Sequence, residues 1–367
     1  MTSSYYTKKP NLVNAEKVDT TNAKVINVVS LFSGCGGMDL GFEGGFNFLG
    51  KHYAKNPFKI IFANDIFKQA ANMYKDNFGI SVEQRDIKTL NIAKDMPNDK
   101  VDVVLGGFPC QSFSYAGKRK GLADPRGQLY QQMIRVLDYY QPKIFVAENV
   151  DGIRNSRKDK SGQNVNKTAL DTILDDFNKH GYDVQYHVLL AADYGVPQMR
   201  RRVIIMGINR KYGNINDEYF PKPLYSKNGE RKWLTAKDGI DDLWGKVNKT
   251  NIPNHTSRDI SKAKFYPNKK MQGNNRILAD SPAPTIRAEH HGNIEAHYRT
   301  TLSNKDDMRG WRRLSVRECA RLQSFPDTYI FTASASAAYK AIGNAVPPVL
   351  AWNIARSVYY TLNKLKK

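Results

Sequence analysis

Cysteine is scarce in this chain: Cys35, Cys110 and Cys319 are far apart and odd in number. That excludes a disulfide framework and a cysteine-rich zinc site, and it fits a reducing compartment. Long apolar runs are missing too. No stretch approaches the roughly 20 apolar residues of a membrane-spanning helix, so no membrane partner is expected. The opening Met1-Thr2-Ser3-Ser4-Tyr5-Tyr6-Thr7-Lys8-Lys9 lacks the apolar core and cleavage site of a secretory signal, and the expected location is the cytoplasm. Adjacent His290 and His291 have no spaced carboxylate or cysteine nearby, so no metal is expected. Acids are under-represented: 35 Asp and Glu stand against 56 Lys and Arg, a net charge of +21. A surplus of that size points to a polyanion, nucleic acid first.

What is present suffices for a packed core, with 41% hydrophobic residues, 20 Tyr and 16 Phe among 367 residues. Residues 25–32 read as a first strand. They run into Ser33-Gly34-Cys35-Gly36-Gly37 and a helix through Leu40 and Phe42. A strand, a glycine turn and a helix form a corner suited to anions and nucleosides. The dinucleotide fingerprint is incomplete, because Asp39 holds its third glycine position. This disfavours a nicotinamide-dependent oxidoreductase, and a plain strand-to-helix turn stays open. A second strand, 59–64, ends at Asp65 before a helix with apolar Ile66, Ala70, Met73, Tyr74 and Phe78. An acid there holds ribose hydroxyls, caps the helix, or does both. Asp86 is a second polar contact at the same edge or a turn residue.

The centre of the chain is a strand at 101–105 followed by Gly106-Gly107-Phe108-Pro109-Cys110-Gln111-Ser112-Phe113-Ser114. A cysteine at the carboxyl end of a buried strand sits where open α/β sheets bind ligands. It is either a nucleophile or a small buried hydrophobe. The basic, glycine-rich stretch 115–127 is a lid or a solvated loop. A helix through Leu129, Met133, Val136, Leu137 and Tyr140 precedes strand 144–147, which ends in Glu148-Asn149-Val150. After a polar loop at 151–167, a helix stops at His180-Gly181. Strands near 184–190 and 203–208 flank Gln198-Met199-Arg200-Arg201-Arg202, where strand alternation sends Arg200 and Arg202 to one face. From about 211 to 310 the βαβ rhythm is lost, and basic residues interleave with aromatics in a manner suited to nucleic-acid grooves. Ser315 and Glu318 form a capping box. Gly343-Asn344-Ala345-Val346 leads to a final helix, 349 to about 365, that docks on the first domain.

Six of these stretches, in order, resemble the C5-cytosine DNA methyltransferases of the bacterial restriction–modification type. They are Phe32-Ser33-Gly34-Cys35-Gly36-Gly37, Pro109-Cys110-Gln111, Glu148-Asn149-Val150, Gln198-x-Arg200-x-Arg202, Arg317-Glu318-Cys319-Ala320-Arg321-Leu322 and Gly343-Asn344-Ala345-Val346. The resemblance implies an α/β, Rossmann-like S-adenosylmethionine-dependent methyltransferase fold with a smaller irregular target-recognition domain. It divides the chain into an arm (1–24), a catalytic domain (25–225, completed by 340–367), a recognition domain (226–315) and a hinge (316–339).

It also implies roles. Cys110 would add to C6 of a flipped cytosine in duplex DNA, Glu148 would protonate N3, and Arg200 and Arg202 would steady the base, phosphate and thiolate. S-adenosyl-L-methionine would be the methyl donor. Phe32 would stack on its adenine, Asp65 would hold the ribose and Asp86 the adenine amine. Gly34, Gly36, Asn344 and Val346 would line the methionine end, with Ser33, Cys35, Ile66, Ile87, Gly107 and Ala345 beside them. Gln111, Ser114, Lys118, Arg119 and Gln198 would contact DNA. No obligate protein partner is implied. RNA methylation by the same chemistry and a non-catalytic DNA-binding relative remain alternatives.

Overall fold

The computed structural model describes residues 12–109, 128–155, 167–215, 219–262, 274–288, 297–300 and 309–365. The first half supplies β1 (Ile26–Leu31), α1 (Gly37–Glu43), the hairpin β2 (Phe46–Phe48) and β3 (Lys51–Tyr53), and β4 (Phe58–Asn64). It continues with α2 (Lys68–Phe78), α3 (Ile92–Asp95), β5 (Val103–Gly106), α4 (Tyr130–Tyr140) and β6 (Ile144–Val150). Next come α5 (Ala169–Lys179), β7 (Tyr182–Leu190), β8 (Gln198–Met199) and β9 (Arg201–Asn209). The remainder holds α6 (Ala236–Ile240), β10 (Ala283–Pro284), β11 (Tyr298–Arg299), β12 (Arg312–Arg313), α7 (Val316–Leu322), α8 (Ala335–Asn344) and α9 (Pro348–Lys364).

Six strands make one mixed sheet in the order β4-β1-β5-β6-β9-β7. The pairs among β4, β1, β5 and β6 are parallel, while β9 runs antiparallel to both β6 and β7. Both faces are covered, as parallel sheets require. Val28, Val103 and Val146 face a core shared with α1 and α9, while their chain neighbours Val29, Val104 and Ala147 face α4 and α5. The period-2 alternation thus sorts consecutive apolar residues onto opposite layers.

A third core joins α6, α7 and α8 to Ala70 and Met73 of α2, so the irregular half is seated on the sheet-bearing half. The capping box stands where the sequence puts it, with Ser315 as N-cap and Glu318 at N3 of α7. Arg317 behind it is fully buried and donates to the carbonyls of Pro253, Pro326 and Tyr329. The expected loose arm is partly a packed segment. Val13 exchanges backbone hydrogen bonds with Phe220 and Lys222, and Ala15 is buried.

Candidate active site

A cavity of about 820 Å3 opens at the carboxyl ends of β1, β4, β5 and β6, the place where such sheets bind ligands. Its size falls within the range of small-molecule sites. One wall is the turn after β1. Phe32 lies there at a φ of +56°, in left-handed space that costs a non-glycine residue of order 1–3 kcal/mol. Such strain persists only where the surroundings impose it, here through the Ser33 N–H bonded to the Asn64 carbonyl at 3.0 Å. Phe32, Ser33 and Gly34 all line the cavity.

Asp65 follows β4 and is both a cap and a cavity wall. Its carboxylate accepts the Phe67 N–H at 2.7 Å and the Gly34 N–H at 2.8 Å, tying the two strand ends together. Burial pushes this carboxyl up, against the pull of those two amides and of Lys340. Asn64 donates to the carbonyls of Glu83 and Arg85 at 2.8 and 3.0 Å, which brings Asp86 alongside. Asp86 accepts the Lys88 N–H and opens a short turn while lining the cavity with Ile66 and Ile87. Asn344, Ala345 and Val346 close the opposite side.

The reactive end is built by β5, β6 and β9. Gly107, Phe108 and Pro109 line the cavity and lead directly to Cys110. Asn149 fixes this approach by donating to the Phe108 carbonyl at 3.1 Å. Cys110, Gln111, Ser114, Lys118 and Arg119 lie outside the described residues. Glu148 is 7% exposed and borders the cavity, with the Arg202 Nε 2.6 Å from its Oε1. The two residues sit on adjacent antiparallel strands, where Val150 pairs with Arg202, so Glu148 lies diagonally across. Burial pushes the Glu148 carboxyl up, and Arg202 and Arg200 only partly offset this. A carboxyl pushed in that direction is the better placed to give a proton to a bound base.

Several expected contacts are elsewhere. Arg200 does not face the cavity, because the alternation breaks between β8 and β9. It is fully buried, and its guanidinium donates to the carbonyls of Ile286, Gly343 and Ala345, each at 2.8 Å. Arg201 and Arg202 line the cavity instead. Gln198 is likewise internal: it donates to the Leu322 carbonyl and to Gln323, and it accepts the Ile286 N–H. At 0% exposure it presents no surface to DNA in this structure. Cys35 is buried beside Tyr329, whose hydroxyl donates to its carbonyl, and burial pushes its thiol up to about 12. Gly36 serves the turn rather than the cavity, since a Cβ there would come 2.5 Å from the Phe78 ring at a φ of +79°. Sequence reasoning missed Thr285, Ala288 and Lys340 as cavity walls. Only the closeness of Lys340 to Asn344 hinted at any of them.

An aromatic ring, one acid at the end of β4, a second at the turn beside it and a glycine turn suit a nucleoside with a methionine tail. Gly37 lets the start of α1 pack against the 345–346 turn, because a Cβ there would stand 2.4 Å from the Val346 carbonyl oxygen. Fold and site together define an S-adenosylmethionine-dependent methyltransferase of Rossmann-like α/β architecture. The family model for C-5 cytosine-specific DNA methylase matches residues 26–359. The chain is 36% identical to the Type II methyltransferase M.FnuDI of Fusobacterium nucleatum, over 93% of this chain and 96% of that one. It is 38% identical to M.BsuRI of Bacillus subtilis, over 94% and 81%. Among solved structures, the Entamoeba histolytica methyltransferase EhMeth matches with a TM-score of 0.66 at 16% identity, covering 92% of this chain and 99% of that one, a likeness of fold. The chain belongs to the C-5 cytosine-specific DNA methylase family. It is a DNA (cytosine-5) methyltransferase that uses S-adenosyl-L-methionine.

Proposed function

We propose that this chain is the modification enzyme of a Type II restriction–modification pair, acting on duplex DNA in the cytoplasm; relatives that it matches are named Type II methyltransferases. In this reading the Cys110 thiolate adds to C6 of a flipped cytosine while Glu148 delivers a proton to N3, so no full negative charge accumulates on the ring. C5 thereby becomes nucleophilic. When bound, S-adenosylmethionine supplies an electrophilic methyl group at that point. Removal of the C5 proton, expulsion of the Cys110 thiolate and return of the N3 proton to Glu148 then restore the neutral aromatic ring.

Arg202 keeps the Glu148 carboxyl aimed at the cavity, and Asn149 holds the Phe108-Pro109 approach. Phe32, Asp65, Asp86 and Asn344 are the residues that would hold the donor. Base flipping follows from the chemistry, because C6 is out of reach inside a stacked duplex. Residues 226–315 are the recognition region in this reading, and 316–339 the hinge.

The observation that carries the proposal is the buried Glu148–Arg202 pair on the same cavity edge as Pro109. The test is a set of duplex oligonucleotides bearing 5-fluorocytosine, incubated with donor and resolved on denaturing gels. Wild type is expected to form a covalent adduct and Cys110→Ala none. Adduct formation by the alanine variant would refute the assignment.

A further inference from the structure

Among the described residues the mechanism leaves two buried acids unused, and of these Glu318 is paired with Arg312. Asp39, in the first turn of α1, is fully buried. Its carboxylate accepts the Ser30 hydroxyl at 2.8 Å from β1 and the Tyr74 hydroxyl at 2.8 Å from α2. Among the described residues it has no ion-pair partner. The titratable groups that face it are Glu43 on its own helix, Tyr74 on α2, and Cys35 and Tyr329 beyond them. None is a cation. An ionised Asp39 is therefore hydrogen-bonded but electrically uncompensated by the protein, an arrangement that costs free energy unless a positive charge arrives.

The place where one can arrive is adjacent. Ser30, Met38 and Asp39, with Leu105 and Gly106, form part of the wall of the donor cavity. The methyl donor is a sulfonium and carries one more positive charge than the thioether left after transfer. We infer that Asp39 is a specificity-determining residue whose carboxylate makes the cavity prefer the sulfonium donor to its spent thioether product. It acts through its field rather than by touching the donor, and the field of a fully buried carboxylate is less screened than it would be in water. The consequence is release of product after each transfer without a separate opening step for the cofactor side.

Burial has pushed the Asp39 carboxyl up to about 7. Below that pH the free enzyme carries a protonated Asp39, and donor binding expels the proton, whereas the thioether leaves it in place. Donor affinity should therefore rise with pH and level off above neutrality, while product affinity stays flatter. This inference rests on the donor assignment but uses neither Cys110 nor Glu148, so the covalent-trapping experiment can fail or succeed without it.

The test is isothermal titration of the DNA-free enzyme with S-adenosylmethionine and with S-adenosylhomocysteine, across pH and in buffers of differing ionisation enthalpy. Wild type should release close to one proton on binding the donor in mildly acidic buffer and clearly fewer on binding the product. In Asp39→Asn the ratio of product to donor dissociation constants should fall roughly tenfold, and the difference in proton release should vanish. Tyr74→Phe, which removes one hydrogen bond to the carboxylate, should move the midpoint of the donor pH dependence upward. A variant at Asp39 that weakens both ligands equally, or identical proton release for both ligands in wild type, would overturn the inference. If Asp39→Asn does not fold, the wild-type proton release and the Tyr74→Phe midpoint decide it.

Discussion

Gly343 and Ala288 meet backbone to backbone: a Cβ on Gly343 would stand 2.2 Å from the Ala288 nitrogen and 2.3 Å from the Arg287 carbonyl carbon. Both segments line the donor cavity, and neither neighbour is a side chain that can swing aside. Gly343→Ala must therefore displace one wall from the other. Overpacking of this kind costs about 1–3 kcal/mol. Donor affinity measured by titration should fall by roughly fivefold or more. An unchanged affinity would mean that the two segments part without consequence.

Arg200 and Arg202 should separate by phenotype although they lie two residues apart. Arg200→Ala leaves the carbonyls of Ile286 and Gly343 without this buried donor, while Ala345 keeps Gln323. Unsatisfied buried groups cost roughly 1–3 kcal/mol each, so urea unfolding should show a loss of at least about 2 kcal/mol. Lysine should not rescue it, because an ammonium cannot reproduce the planar fork. Arg202→Ala should lose turnover, with a smaller loss of stability because the Glu148 carboxyl it leaves behind, already pushed up by burial, can take up a proton. Equal stability of the two variants would contradict this division.

Glu148 should govern the alkaline side of the pH–rate profile. Its carboxyl is held above its ordinary range by burial, and as a proton donor it works only while protonated. Turnover under saturating DNA and donor should decline as pH rises through that carboxyl's titration. Glu148→Gln should lower the rate by about 10²–10⁴-fold and remove this decline, with DNA affinity retained. A glutamine variant that keeps the same alkaline decline would assign the limb to another group.

Asp39 also makes a prediction for stability without ligand. Its folded value of about 7 lies above the ordinary 3.8. The unfolded chain gives up this proton first, so the favourable contribution is complete below pH 3.8 and is lost as pH rises through about 7. Thermal melts of ligand-free wild type should show stability falling across that window relative to Asp39→Asn. Saturating donor should reduce the fall. Parallel pH curves for the two proteins would show that the carboxyl does not titrate there.

The sheet and the edge that holds the site were legible in the sequence because both rest on local signals. Short apolar runs marked β1, β4, β5 and β6, and each strand ended in the polar or glycine residues that now line the cavity. The capping box at Ser315 and Glu318 was equally plain, being written within four residues. What escaped depended on long-range contacts. Arg200 looked like a partner of Arg202 under strict alternation, but the strand is interrupted at that residue, and its guanidinium reaches carbonyls more than 80 positions away. Gln198 carries a side chain typical of DNA readers, yet it is consumed between α7 and residue 286. Asp39 registered only as a missing glycine, since nothing local reveals that Ser30 and Tyr74 close over it.

Helix α9 lies against α1 so closely that a Cβ at Gly41 would come 2.4 Å from the Ala351 Cβ. The turn just before α9 completes a cavity begun at Phe32. On the ribosome, then, the first half of the chain emerges with its donor site open on one side. The donor site of a nascent chain stays unclosed until residues 343–346 have been made. Translation that stops before them yields fragments whose cavity lacks that wall.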